Sequence, residues 1–568
     1  MQQKIQIISV FISIILILQP GLSIAKTHKI NYSLNFNLAS SDATFIGEGE
    51  ADSLGDSVAI IGDVNGDGLD DILMGARRND QSGPDAGKTY LIFGKKDGWQ
   101  NDTAVEDADA SFIGENEYDK SGGAVAGIGD VNGDGLDDFI IGADEADVGE
   151  TYSGIVYLFF GRSSGWSKDV VLSESDASFI GAQAFEHAGS SLAGVGDVNR
   201  DGYDDILIGA PQSDDDRSLD QRHLVGRTYL ILGHSDGWKE NMSLVDADAS
   251  FIGENEEDYA GRTIAGAGDV NGDGYDDMLI TAKDNDEGGD DAGQVYLIFG
   301  RNIGWGMDYN LSMSDASFIG EKSNASLGFS LAGAGDVNRD GYKDFLISAV
   351  GMDTRGPYTG KIYLVFGKAD GWSMDTIITE ADASFVGQNM SFCGGSVSGA
   401  GDVNSDSYDD ILIGAPSDNV SGVIAAGLTY LILGKSSGWA KDVNITNADA
   451  SFLGENEFDW AGLPIAGGGD VNGDGFNDIL IGARDNDESG SNAGQVYLIL
   501  MRNKQYHTTV EMNYFILPMI IIIIAVVVII LIYYRPRDPE KKRGVRPEKA
   551  DASSGRQTRY DTNRKSCS

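Results

Sequence analysis

Cysteine is almost absent from this chain: two residues in 568, Cys393 and Cys567. A disulfide framework is thereby excluded, which is unusual for a large exported protein. Cys393 reads as a small buried residue. Cys567, second from the end, does not fit a prenylation box. Histidine is nearly as scarce, with His28, His187, His223, His234 and His507 scattered along the chain. No His-Glu-x-x-His or phosphate-loop motif occurs, so the familiar metalloprotease and nucleotide signatures are missing. Basic residues are few: 41 Lys and Arg stand against 89 Asp and Glu, a net charge of −48. Nucleic acid and anionic lipid surfaces are poor partners for such a chain. Sustained helical periodicity is absent outside the two ends.

What the chain has in abundance is one loop. Asp63-Val64-Asn65-Gly66-Asp67-Gly68-Leu69-Asp70-Asp71 places oxygen-bearing side chains at positions 1, 3, 5 and 9. A backbone carbonyl at position 7 completes a set that wraps one cation, and Gly68 at position 6 permits the sharp turn. Copies start at Asp130, Asp197, Asp269, Asp336, Asp402 and Asp470, at steps of 67, 67, 72, 67, 66 and 68 residues. A period of this size means a repeat architecture.

Around each loop lie four short β-rich runs bounded by Gly and Asp turns. In the second copy these are Ala124–Ile128, Asp138–Ala143, Gly154–Gly161 and Asp176–Gly181. They are strands A to D, and the loop joins A to B. Four strands in each of seven units predict an all-β, seven-bladed β-propeller. The phase adds a detail. Thr44-Phe45-Ile46-Gly47 precedes the first loop, whereas nothing like it follows the last strand C near Leu500. The strand near 43–47 is therefore expected to close the ring as strand D of blade seven. The Gly-Trp pairs ending at Trp99, Trp166, Trp238, Trp305, Trp372 and Trp439 read as turn and packing residues.

The two ends predict a topology. Lys4, the apolar run Ile5–Leu18 and Ser23-Ile24-Ala25 read as a signal peptide over 1–25. A lead-in over 26–41 precedes the propeller at 42–500, and a linker over 501–514 follows it. Residues 515–534 are 20 uncharged, mostly Ile and Val residues, enough for a helix of about 30 Å across a bilayer. The tail 535–568 holds 11 Lys and Arg against 5 Asp and Glu, which places it in the cytoplasm. With the tail at +6 and Lys4 at +1, the remainder carries −55. A single-pass type I protein with an external propeller is expected. Eight acceptor sequons for glycans lie at Asn31, Asn101, Asn241, Asn310, Asn324, Asn389, Asn419 and Asn444.

The repeats resemble the FG-GAP repeats of the integrin α-chain propeller. Leu327-Gly328-Phe329-Ser330-Leu331-Ala332-Gly333-Ala334-Gly335-Asp336-Val337-Asn338 is similar to the FG half. Ile206-Leu207-Ile208-Gly209-Ala210-Pro211 and Ile411-Leu412-Ile413-Gly414-Ala415-Pro416 are similar to the GAP half. The resemblance covers about residues 40–500. It implies that the loops bind calcium on the lower face and that the upper face meets a partner. The departures are a membrane span soon after the propeller and a tail, Arg535-Pro536-Arg537, without the Gly-Phe-Phe motif. The heterodimer and its signalling are therefore not carried over.

The donor chemistry agrees with calcium, because every ligand is a hard oxygen, and magnesium suits a nearly all-protein cage less well. Up to seven structural calcium ions are expected. Their ligands are Asp63, Asn65, Asp67, Leu69 (carbonyl) and Asp71; Asp130, Asn132, Asp134, Leu136 and Asp138; Asp197, Asn199, Asp201, Tyr203 and Asp205; Asp269, Asn271, Asp273, Tyr275 and Asp277. The remaining sets are Asp336, Asn338, Asp340, Tyr342 and Asp344; Asp402, Asn404, Asp406, Tyr408 and Asp410; Asp470, Asn472, Asp474, Phe476 and Asp478. The Asp402 loop, with Ser407 at position 6, is expected to be strained. Lys343, at position 8 of the Asp336 loop, is read as outside the ligand set but weakening the local field.

The upper face, built from the D-to-A and B-to-C loops, combines acids with Tyr118, Phe185, Tyr259, Phe392, Phe458 and Trp460. Such rings can hold a Lys or Arg side chain of a partner. The function expected is a membrane-anchored, calcium-stabilised adhesion or binding protein, not an enzyme, with an extracellular protein or glycan ligand. Alternatives are a surface-coat component that associates with its own copies and a propeller enzyme acting on surface glycans.

Overall fold

Strands dominate because the apolar runs are short and rich in Ile, Val, Leu and aromatic residues, and Gly or Asp turns end each of them. The computed structural model describes residues 36–214, 224–302, 304–419 and 422–502. They form seven sheets of five strands each, a seven-bladed β-propeller. Blade one runs Ser57–Ile60, Ile72–Ala76, Lys88–Ile92 and Ala110–Ile113, each antiparallel to the next. The other blades repeat this order. Strands B and C are buried along their whole length in blade one, as strands covered on both faces by neighbouring blades must be. The core is therefore divided among seven interfaces. Each of the seven apolar clusters draws its residues mainly from two adjacent blades.

Blade seven consists of Ile465–Gly469, Asp478–Ala483, Gln495–Ile499 and, from the start of the described chain, Ala43–Ile46. The last pairs antiparallel with strand C, Phe45 opposite Val496.

The expectation of four strands per blade needs correction. A fifth strand of two residues seals the outer edge of every sheet, running parallel to strand D. Val170–Val171, on the C-to-D connection of blade two, pairs with Phe112–Ile113 of blade one. The connection thus crosses back over the preceding blade and covers a strand edge that would otherwise invite pairing with other chains. For blade six this strand is Phe36–Asn37, set against Phe452 and Leu453. Residues 36–41, expected as a lead-in, are accordingly part of the ring. Such a strand escapes pattern reading because two residues carry no periodicity.

The Gly-Trp pairs are packing elements. The Trp99 indole Nε1 donates to the Lys95 carbonyl at 2.8 Å, and its ring meets Phe45 edge-on at 6.4 Å. Among the described residues no helix is long and apolar enough to cross a membrane. The expected signal peptide, most of the lead-in and linker, the span at 515–534 and the tail lie outside the described residues.

Candidate metal loops and the opposite face

In the first loop Asp63 is the organising residue. One of its carboxylate oxygens accepts the Gly66 and Asp67 N–H groups at 2.7 and 3.0 Å, and the other accepts that of Gly68 at 2.7 Å. Asp67 accepts from the Leu69 N–H at 3.0 Å. Asp71 is fully buried and ties the loop to the blade, accepting from Val64 N at 3.1 Å and from Gly94 N, at the end of strand C, at 2.8 Å. Asn65 donates to both Asp71 oxygens at 3.1 Å. The same roles fall to Asp130, Asp134 and Asp138, Asp197, Asp201 and Asp205, and Asp269, Asp273 and Asp277. They recur in Asp336, Asp340 and Asp344, Asp402, Asp406 and Asp410, and Asp470, Asp474 and Asp478.

Burial, followed by the charges of positions 1 and 5, works against ionisation at position 9. The carboxyls of Asp71, Asp138, Asp205, Asp277, Asp410 and Asp478 are pushed up to about 8, and that of Asp344 to about 7. At position 3 the side-chain oxygens of Asn338 and Asn404 are buried without a hydrogen-bond partner. Both observations suit a cation: it would stabilise the ionised carboxylates and take up the orphaned amide oxygens. Among the described residues no group of three or more His, Cys, Asp or Glu side chains is drawn together to hold a metal ion.

Position 8, outside the expected ligand set, makes a bond of its own where it is Asp. Asp137 accepts the N–H of Asp63, position 1 of the preceding loop, at 2.8 Å. Asp204, Asp276 and Asp409 do the same to Asp130, Asp197 and Asp336. Asp70 bonds to Asp470 N at 2.6 Å across 400 residues of sequence. At the seam of blades four and five stands Lys343, which has no acceptor atom in its side chain and instead lies 3.8 Å from Asp409. Position-7 side chains also lean on the preceding loop: Arg200 sits over the Tyr275 ring at 5.8 Å and Arg339 over that of Tyr408 at 5.9 Å.

On the opposite face, all six expected aromatics occupy the left-handed backbone region: Tyr118, Phe185, Tyr259, Phe392, Phe458 and Trp460 have φ of 68, 64, 51, 52, 67 and 56°. Non-glycine residues hold this conformation only where their surroundings impose it. Here each backbone N–H is clamped to a B-to-C loop, as Tyr118 is to the Pro84 carbonyl at 2.8 Å and Phe458 to that of Ile424 at 3.0 Å. Tyr118 and Phe458 are each 54% exposed. Phe185 packs on Tyr152, Phe392 on Phe329, and Lys283 lies over Tyr259.

Of the six, Phe392 helps to form a pocket. It lines an apolar groove of about 400 Å³ with Tyr358, Met390, Asn419, Ile424 and Ala425, between blades five and six. Tyr358 and Met390 are 60% exposed and Ile424 51%. Sequence reading missed the other lining residues, since the three loops that supply them share no pattern.

The FG-GAP repeat family matches residues 54–92, 121–159, 188–228, 260–298 and 464–499. Each segment runs from the start of strand A to strand C of one blade. Integrin alpha-V of Gallus gallus is 30% identical over 274 residues, 48% of this chain and 24% of that protein. Integrin alpha pat-2 of Caenorhabditis elegans is 29% identical over 259 residues, 44% of this chain and 20% of that protein. Integrin alpha-IIb of Mus musculus is 34% identical over 181 residues, 31% of this chain and 16% of that protein. The matches thus span a quarter or less of these relatives' length.

Proposed function

From a chain that carries FG-GAP repeats in an integrin-α-like N-terminal β-propeller, we propose a calcium-stabilised adhesion protein of the cell surface, which binds a partner through the face opposite its metal loops. The supporting observation is the groove between blades five and six. Three large apolar side chains stand more than half exposed around it on a protein of net charge −48. An exposed apolar patch rimmed by polar surface is typical of an interaction site. The groove takes an apolar side chain, and the acidic surroundings favour a partner with basic residues beside it.

The seven loops hold calcium in this reading. Positions 1, 3, 5 and 9 contribute side-chain oxygens and position 7 its carbonyl. The ions are structural: they keep the buried position-9 carboxylates ionised and fix the loops against strand C. Anchoring is by the apolar segment 515–534, with the propeller outside and the basic tail inside. No catalytic role is assigned to any residue.

The experiment compares binding of the labelled protein to its own cells, in calcium, with that of a Met390→Glu, Ile424→Glu double variant. Both positions are exposed, so the fold should tolerate the change. Saturable binding lost in the variant supports the reading. Equal binding by the two moves the contact surface elsewhere, and self-association on adding calcium favours a coat component.

A further inference from the structure

A buried lysine opens strand C in two blades, and its surroundings differ. In blade one Lys88 is 4% exposed. Its ammonium lies 2.8 Å from Glu48, 2.6 Å from the Gln81 side-chain oxygen and 3.1 Å from Asp169. Three acceptors meet three N–H groups. In blade five the equivalent Lys361 is 6% exposed. Glu321 stands 3.3 Å and Asp442 2.9 Å from its ammonium, in the places of Glu48 and Asp169. The residue seven before the lysine, Gln81 in blade one, is here Thr354. Its shorter side chain leaves the third hydrogen without an acceptor among the described residues.

Beside it lies a cavity of about 250 Å³ at the outer rim of blade five, whose wall includes Glu321, Thr354, Lys361, Tyr363, Ser384 and Asp442. In four other blades the corresponding residue is bonded to a carboxylate or apolar. Arg227 of blade three reaches Asp308 at 3.0 Å with a longer side chain, and Gln294 of blade four reaches Asp375 at 3.2 Å. Blades two and six have Ile155 and Leu428 there.

We propose that this cavity binds one neutral sugar ring, a hexopyranose unit of a glycan. Lys361, Lys441, Glu321 and Asp442 all line the cavity, so the site is balanced in charge and favours an uncharged ligand over a phosphate or sulfate. A sugar hydroxyl is both donor and acceptor, which matches an ammonium short of one acceptor beside carboxylates that can accept further bonds. The volume is far above the ~30 Å³ share of one water. It is also below the roughly 300–1,000 Å³ of sites for larger ligands, so one ring is enclosed and the rest of a glycan extends outward.

The inference is independent of the groove on the upper face. Its test is saturation-transfer NMR on the full chain in calcium, with glucose, galactose, mannose and N-acetylglucosamine each offered up to ~10 mM, and with glycine as a zwitterionic competitor. One of the sugars is expected to bind with Kd on the order of 1 mM. Thr354→Gln restores the blade-one side chain and should abolish transfer without lowering the melting temperature. Gln81→Thr opens the same space beside Lys88 and should add a second binding equivalent. No transfer from any of the four sugars, undiminished transfer in Thr354→Gln, or displacement by glycine would each overturn the proposal. Met390→Glu and Ile424→Glu should leave sugar binding unchanged, so this site and the upper-face reading fail separately.

Discussion

Ser407 has a φ of 72° where the loops at Asp63 and Asp130 have Gly68 and Gly135 at 84 and 90°. A side chain in that region costs roughly 1–2 kcal/mol. Ser407→Gly should therefore stabilise the protein by about 1 kcal/mol, offset in part by the greater freedom of glycine when unfolded. Thermal melts in calcium test this, and a lowered melting temperature would show that the serine makes a compensating contact. Glu186 carries a pH dependence. It is fully buried, accepts from Tyr229 at 3.2 Å and from Ser213 at 3.4 Å, and lies in the field of Arg227. Burial pushes its carboxyl up to about 7 from an ordinary 4.5. Between those values the folded protein holds a proton that the unfolded chain releases. The contribution of this group is thus fully present below pH 4.5 and is lost as pH rises through about 7. Glu186→Gln should flatten that part of the stability–pH curve by on the order of 3 kcal/mol relative to the parent. Parallel curves for the two proteins would refute the assignment.

Between elements, the bonds that matter join blades. The Asp137 bond to Asp63 N spans the seam of blades one and two. Removing a charged acceptor from a half-buried N–H costs about 1–2 kcal/mol. Asp137→Ala should lose that much in a denaturant titration, with the m-value unchanged. Lys343→Ala, at a seam where no such bond is formed, should change stability by less than about 0.5 kcal/mol. Equal effects at both positions would mean that position 8 acts through charge alone. The two-residue outer strands serve the same seams, since each is carried over from the C-to-D connection of the next blade or, for blade six, from the segment before blade one.

For the whole molecule the prediction concerns calcium. An ion present at about a thousand times its dissociation constant adds roughly 4 kcal/mol per site, and several such sites rival a typical net stability of roughly 5–15 kcal/mol. Chelation should lower the melting temperature sharply, and calcium should restore it. A melt unchanged in chelator would remove the metal reading of all seven loops at once. The ring geometry makes the effect collective: every loop is bonded to its own strand C, and most are bonded to a neighbouring loop as well, so loosening one exposes the next interface.

The sequence by itself determined the unit. Loop residues at positions 1, 5 and 9 act within nine residues or reach the end of strand C 23 residues on. The strands alternate with Gly and Asp turns, and seven copies fix the number of blades. Tyr118 and its counterparts were legible as a recurring feature of one face, and Ser407 as an exception to a repeated glycine. Only the tertiary structure decided what joins the blades. The position-8 bonds link residues about 74 apart, and in one case 400 apart. The groove takes residues from three loops, and the cavity of blade five brings Glu321 and Asp442 to Lys361 from 40 and 81 residues away. A repeat shows what each unit is because its pattern is local. Contacts between units depend on how copies meet in space, where one shortened side chain, such as Thr354 for Gln81, removes an acceptor from a buried ammonium without changing the pattern.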